Sequence, residues 1–300
     1  MFQSHLGEIA ALATAFCWTI TAVSFEAAGK KVGSISVNLI RLIIAFILIS
    51  IYNLFSRGMI LPIDASSSTW LWLTFSGIIG FVIGDLFLFQ AYVEVGARIS
   101  MLIMSTVPPI TAIAGFLIMG EKITLLGLAG MIITIVGISL VILTKNPGNK
   151  KVRLSHPIKG LAYAFIGALG QAFGLVFSKF GMGSYDPFAA TQIRIIAAII
   201  GFSIVISILK KWGALIVAVK DRRAMKYISI GSLFGPFLGV SLSLLAVQHA
   251  STGIVSTITS ITPILLIPVS IIVFKEKIFP REMFGAGSSG ERSDTAYRRS

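Results

Sequence analysis

One cysteine, Cys17, in 300 residues leaves nothing from which to build an internal disulfide framework or a cysteine-ligated metal cluster. Histidine is nearly as scarce. His5, His156 and His249 fall in the N-terminal segment, a central linker and a helix end, with no carboxylate or cysteine at a usable catalytic spacing. No HExxH or Walker A sequence is present, and with no strand expected there is no place for a dinucleotide-binding GxGxxG. The chain therefore reads as a non-enzyme without metal, cofactor or ATP coupling. Charge is sparse as well: 12% of residues, against about 25% in an ordinary soluble domain. So little charge cannot wet a globular surface. The start also lacks the basic residues of a secretory signal, and its first apolar run is too long for an h-region, so no cleavable leader is expected.

What is present is apolar. Hydrophobic residues make up 55% of the chain, and the mean hydropathy is +0.91. The apolar runs are of helix length, roughly 20 residues, rather than the roughly 10-residue alternating stretches of a membrane barrel. The fold class is thus an all-α polytopic membrane protein, whose spanning backbone satisfies its own hydrogen bonds while the lipid bilayer is the solvent. Spans are expected near residues 7–28, 34–55, 69–92, 97–119 and 123–144, then 158–180, 187–209, 225–248 and 251–274. A basic linker, 145–157, separates the groups. The net charge of +13 is read as loop cations that orient the spans rather than as a nucleic-acid surface.

The chain repeats itself. Residues 96–124, GARISMLIMSTVPPITAIAGFLIMGEKIT, overlay 251–279, STGIVSTITSITPILLIPVSIIVFKEKIF, without a gap: Pro108 falls on Pro263 and Glu121-Lys122 on Glu276-Lys277, 155 residues apart. Arg41 overlays Arg194 and Gly7 overlays Gly160 at an offset of 153. Ser76, Gly80 and Gly84 in the third span match Gly231, Gly235 and Gly239 in the eighth. Small residues every four positions let helix backbones approach closely in a membrane. Five spans per repeat is an odd number, so the second copy enters the membrane from the opposite side. Inverted duplication of this kind underlies alternating access in secondary transporters.

With two five-helix halves, each closing on a Pro-containing helix that ends in Glu-Lys, the chain resembles the EamA-type proteins of the drug/metabolite transporter superfamily. The resemblance rests on GDLFLFQAYVEVGARIS and VPPITAIAGFLIMGEKITLLGLAG in the first half, and on LSLLAVQHASTGIVSTITSITPILLIPVSIIVFKEKI in the second. It implies a ten-helix, basket-shaped carrier of small metabolites, often moved outward, in the plasma membrane. It names no substrate, and the oligomeric state stays open. The repeats are expected at 1–144 and 158–286. The fifth span, 126–143, has a counterpart that begins with Gly285 on Gly130 and then reads GSSGERSDTAYRRS, too polar for hydrocarbon. The tenth helix is thus expected to be missing, with a disordered polar tail over 287–300. Lys and Arg counts put the N-terminus outside and the basic loops in the cytoplasm; the resemblance implies both termini inside.

Candidate site residues emerge from depth and symmetry. Asp85 lies well inside the third span, where a carboxylate costs about 3 kcal/mol unless it faces a cavity, pairs or takes up a proton. It reads either as a site group for an amine or a proton, or as a structural partner to Arg41; its counterpart is Val240. Arg41 and Arg194 lie about a turn into the second and seventh spans, where each can snorkel to the headgroups or else gate the carrier or meet a substrate anion. Glu121-Lys122 and Glu276-Lys277 read as interfacial anchors, with gating as the alternative. Pro108, Pro109, Pro263 and Pro268 kink their helices and free carbonyls, shaping either a cavity or mere packing. Trp18 and its counterpart Gln171, with Gln90 and Tyr92, complete the cavity candidates. Three functions remain open: carriage of amphipathic metabolites such as amino acids, efflux of lipophilic cations with Asp85 as counter-charge, and a non-transporting membrane scaffold.

Overall fold

The computed structural model describes residues 5–121, 128–129, 132, 136, 143–145, 152–154, 157–266 and 268. Lys122, Pro268's neighbours on both sides, Glu276, Lys277, most of the fifth span and all that concerns a tenth helix or the 287–300 tail lie outside the described residues. The helices are α1 (Leu6–Val32), α2 (Ser34–Arg57), α3 (Ser67–Gly77), α4 (Asp85–Met104), α5 (Val107–Met119), α6 (Ile158–Met182), α7 (Pro187–Ile208), α8 (Trp212–Lys220), α9 (Arg222–Ser232), α10 (Val240–His249) and α11 (Thr252–Thr259). Ile78–Gly84 and Leu233–Gly239 are π-helical turns joining α3 to α4 and α9 to α10. Among the described residues, six continuous helices are long and apolar enough to cross a membrane. The protein is a multi-pass membrane protein.

Local chemistry sets the ends. Asp186 accepts a hydrogen bond from Ala189 N at 2.8 Å and Pro187 opens α7, an N-terminus whose missing N–H costs nothing. Gly58 ends α2 in the left-handed region at φ 70°. Gly96, at φ 83° and ψ 160°, is the single residue that separates the third span from the fourth inside α4. One short helix, α8, was not foreseen. It begins at Trp212, between Lys211 and Lys220, in what the sequence suggests is a loop. The expectation of no strands also needs correction: Leu143–Lys145 (β1) pairs antiparallel with Val152–Leu154 (β2) across the linker, Leu143 opposite Leu154. This short pairing leaves the helical architecture unaltered.

The polarity is inside out relative to a soluble protein. Rows such as Ile43, Ile47, Ile51 on α2 and Ile200, Ile204, Ile208 on α7 are exposed, whereas Asn38, Arg41, Asn53, Asp85, Gln192 and Arg194 are buried. Spacing of four puts each exposed row on one lipid-facing stripe.

Contacts at the helix ends fix the direction of the repeats. Glu26, near the end of α1, accepts a hydrogen bond from Ala97 N at 3.0 Å, and Lys31 pairs with Asp221 at the start of α9. These ends share one side, together with Glu94 and Lys159, which pair across the start of α6. On the other side Lys179, near the end of α6, meets Glu121 beyond the end of α5. Thus α1 and α6, which are repeat equivalents, run in opposite directions. The duplication is inverted.

The small-residue ladders pack differently in the two copies. Ser76, Gly80 and Gly84 face Ser178, Gly174 and Gly170 of α6. A Cβ on Gly170 would lie 2.5 Å from Gly84 Cα, and the Ser76 and Ser178 hydroxyls are 2.6 Å apart. Here two backbones touch. In the second copy the notches at Gly231, Gly235 and Gly239 receive Phe25, Thr21 and Trp18 of α1 instead.

Candidate functional site

The two π turns occupy equivalent positions, Ile78–Gly84 and Leu233–Gly239, 155 residues apart. Each ends immediately before a site position: Asp85 in one repeat, Val240 in the other. A π turn rotates the helical segment after it relative to the one before, and in the second copy Pro236, which has no N–H to donate, sits inside it. The fourth and ninth spans break at matched places too. The helix ending at Met104 resumes at Val107, with Ser105 and Thr106 between; the helix ending at Thr259 resumes at 262, with Ser260 and Ile261 between.

These breaks and turns surround a cavity of two adjoining chambers. One, of about 610 Å³ with its open mouth, is lined by Trp18, Gln171, Arg194, Val240, Ser243 and Leu175 and by the broken helices. The other, of about 520 Å³ on the same measure, is lined by Trp18, Arg41, Phe81, Asp85, Tyr92 and Gln171 among others. From the broken helices the first chamber takes Met101, Met104, Ser105, Val107 and Pro108, and their equivalents Ser256, Thr259, Ser260, Thr262 and Pro263. The match is position for position at an offset of 155. One wall is thioether and aliphatic apart from the Ser105 hydroxyl; the other is hydroxyl apart from Pro263.

Asp85 holds the second chamber together. Its Oδ2 accepts a hydrogen bond from Arg41 Nη2, and its Oδ1 accepts one from Gln171 Nε2 at 2.5 Å. Arg41 Nε also donates to Asn38 Oδ1 at 3.0 Å, and Asn38 Nδ2 reaches the Asp85 carbonyl. Neither Arg41 nor Arg194 reaches outward: each is 3% exposed. Both turn inward and lie within 6 Å of the same ring centroid, Phe81, at 5.7 and 4.6 Å. The snorkelled arrangement is therefore not the one observed. Entering from opposite ends of an inverted pair, the two cations converge.

The sequence model of the EamA-like transporter family matches residues 5–143 and again 158–289. The chain belongs to the EamA-like transporter family. No curated protein matches it. Of the solved structures, one titled "Crystal structure of protein" aligns over 93% of this chain and 92% of its own, with a TM-score of 0.65 and 13% identity, a likeness of fold alone.

Within this EamA-like chain not every candidate reaches the cavity. Trp18 and Gln171 line both chambers; Asp85 lines the second, Pro108 and Pro263 the first. Gln90 lines neither. Five residues beyond Asp85, its amide oxygen accepts from Ser34 Oγ at 2.8 Å and its nitrogen donates to Glu94 at 3.2 Å. Pro109 is buried but turned away from both chambers, about 100° round the helix from Pro108. Pro236, the hydroxyls at 256, 259, 260 and 262, and the Phe81 ring were not singled out by sequence. The hydroxyls carried a signal: STGIVSTITSIT places polar atoms three and four apart inside an apolar helix.

Glu121 does more than anchor an interface. Its Oε1 accepts from Lys179 Nζ at 2.8 Å and its Oε2 accepts from Thr252 Oγ1 at 2.6 Å and Thr252 N at 3.2 Å. Lys179 also donates to Ala250 O at 2.8 Å. One carboxylate thus caps the start of α11 while it ties the first repeat to the second. Glu26 caps the fourth span in the same way at Ala97 N, and Glu26 and Lys179 are themselves repeat equivalents.

Proposed function

We propose that the chain is a secondary transporter of small metabolites, amino-acid-like or related, working by alternating access as the repeats at 1–144 and 158–286 rock about the shared cavity. One observation carries this: the repeat-equivalent pairs Trp18/Gln171, Arg41/Arg194, Asp85/Val240 and Pro108/Pro263 all line the same space. An inverted pair of walls around one site can expose it to either side in turn. The broken helices support it, since backbone interrupted at membrane depth is tolerated where it borders a cavity. The direction proposed is export across the plasma membrane, which the family resemblance implies. The test is proteoliposome flux of a metabolite panel, with and without a pH gradient. Saturable flux of a subset supports the reading; permeability to nothing overturns it in favour of a scaffold.

A further inference from the structure

Among the described residues that line the two chambers, only Arg41, Asp85 and Arg194 carry charge. Arg41 and Asp85 cancel each other in a direct pair. Arg194 does not join them. Among the described residues it finds no hydrogen-bond partner: its Nε is buried and unmatched, its guanidinium rests on the Phe81 ring, and Asp85 acts on it only through space. A second buried orphan lines the same chamber. Ser256 Oγ, on a residue 2% exposed, has no partner either. Leaving a buried donor without an acceptor is costly, and more so for a charged group. Two such groups lining one chamber, one of them a surplus cation, describe a site whose ligand supplies the acceptors.

We infer that Arg194 and Ser256 form an anion subsite that takes the carboxylate of a small monocarboxylate substrate. One surplus positive charge matches one negative charge, which favours a carboxylate over a phosphate dianion. The planar guanidinium suits two carboxylate oxygens, and the Ser256 hydroxyl supplies a further donor. The rest of the substrate lies between the Met101/Met104 side and the Thr259/Ser260/Thr262 side, so a body that is part aliphatic and part polar fits. No unpaired carboxylate among the described lining residues awaits an ammonium group, because Asp85 is already engaged by Arg41 and Gln171. The carboxylate is therefore the required group and the amine is dispensable, which sets the subsite against the lipophilic-cation reading. The inference rests on the cavity being a transport site and narrows what it carries.

The test is equilibrium binding to the full-length protein in detergent, using leucine and threonine, their amides, their deaminated acids and the corresponding amines. Acids and amino acids are expected to bind saturably, with amides and amines at least tenfold weaker. Arg194→Gln should erase that difference and Arg194→Lys should retain part of it, as a point charge without the planar fork. If Arg194→Gln fails to fold, Ser256→Ala keeps the cation and is expected to weaken acids several-fold without affecting amides. Amides binding as well as acids, amines alone binding, no acid binding at all, or Ser256→Ala and Arg194→Lys leaving acid affinity unchanged would each overturn the subsite. Proteoliposome flux separates this from the transporter reading: carboxylate binding without flux removes transport and leaves the subsite, whereas flux indifferent to the carboxylate does the reverse.

Discussion

Asp85 shares its carboxylate between donors from both repeats, Arg41 of α2 and Gln171 of α6. Removing one member of a buried ion pair strands the other charge, at roughly 3–5 kcal/mol, whereas replacing both with apolar residues is often neutral. Asp85→Asn is therefore expected to lower the detergent melting temperature sharply, and Arg41→Met with Asp85→Leu to recover most of it while transport stays lost. A single mutant as stable as the parent would show that the pair carries no structural weight. The residues of this site were partly legible in the sequence. A lone carboxylate at membrane depth stands out, and so does an arginine that appears twice at one offset. What could not be read was the direction of the long side chains. From depth alone an arginine one turn into a span can reach lipid headgroups or the interior, and only the position of the Phe81 ring, supplied by the neighbouring span, decides it. Gln90 illustrates the converse: five residues from Asp85 it has turned to Ser34, a partner that no spacing rule announces.

At the scale of elements, hydropathy located the described spans to within a few residues because lipid imposes their length, while the fifth, 123–144, and the end of the ninth lie outside the described residues; the repeat fixed their pairing. The π turns escaped notice, since nothing about IIGFVIG distinguishes it from ordinary apolar helix; its partner LFGPFLG at least holds a proline. The ladder of Ser76, Gly80 and Gly84 was legible, but not that its counterpart in the second repeat holds side chains rather than backbone. The contact of this ladder with α6 gives a direct test. Gly170→Ala places a methyl carbon 2.5 Å from Gly84 Cα and is expected to cost about 1–3 kcal/mol as overpacking, read as a fall in melting temperature. Gly213→Ala, where the added methyl meets nothing within 4 Å, is the control and should not destabilise. The end clamp gives another. Burial disfavours the ionised Glu121, but the Lys179 ammonium and the Thr252 hydroxyl outweigh it and hold the carboxyl below its ordinary range. A depressed carboxyl stabilises fully above the ordinary glutamate pKa of about 4.3 and loses that contribution as the pH falls through the lowered value. The clamp should accordingly hold at neutral pH and weaken only in strong acid. Glu121→Gln removes the charge at any pH. A loss of about 1 kcal/mol is roughly fivefold in the ratio of closed to open. Thiol labelling of Ser105→Cys in a Cys17→Ser background should speed up by about that factor from the clamp side; an unchanged rate would mean that the clamp does not limit opening.

Across the whole molecule the two ends differ in charge, and the fold assigns each loop to its end. Glu26 with Ala97, Lys31 with Asp221, and Glu94 with Lys159 place the end of α1 and the starts of α6 and α9 together, and α7, which runs back from the far end of α6, finishes at the same end. Among the described residues, that end carries Lys30, Lys31, Arg98, Lys159, Lys210, Lys211, Lys220, Arg222, Arg223 and Lys226. The described cations of the opposite end, where α1 begins, are Arg57 and Lys179, and both are committed to carboxylates, Asp64 at 2.5 Å and Glu121 at 2.8 Å. There Asp64 is held below its ordinary range: burial opposes this, but the Tyr185 hydroxyl, a backbone hydrogen bond and the Arg57 guanidinium together prevail. Cations near short loops are retained on the cytoplasmic side during insertion, and inversion does not average the bias away, because the basic loops of the two repeats fall on the same side. The expected topology therefore has the basic end in the cytoplasm and the start of α1 outside, against the cytoplasmic termini that the family resemblance implies. A reporter active only in the cytoplasm, fused before Gly7, should be silent, and the same reporter placed between Lys211 and Trp212 should be active. Replacing Lys210, Lys211, Lys220, Arg222, Arg223 and Lys226 with glutamine should erode that difference if the charges set the orientation. An active reporter before Gly7 in the unaltered chain would mean that the duplicated fold inserts against its own charge bias, and that the cations of the basic end serve something other than orientation.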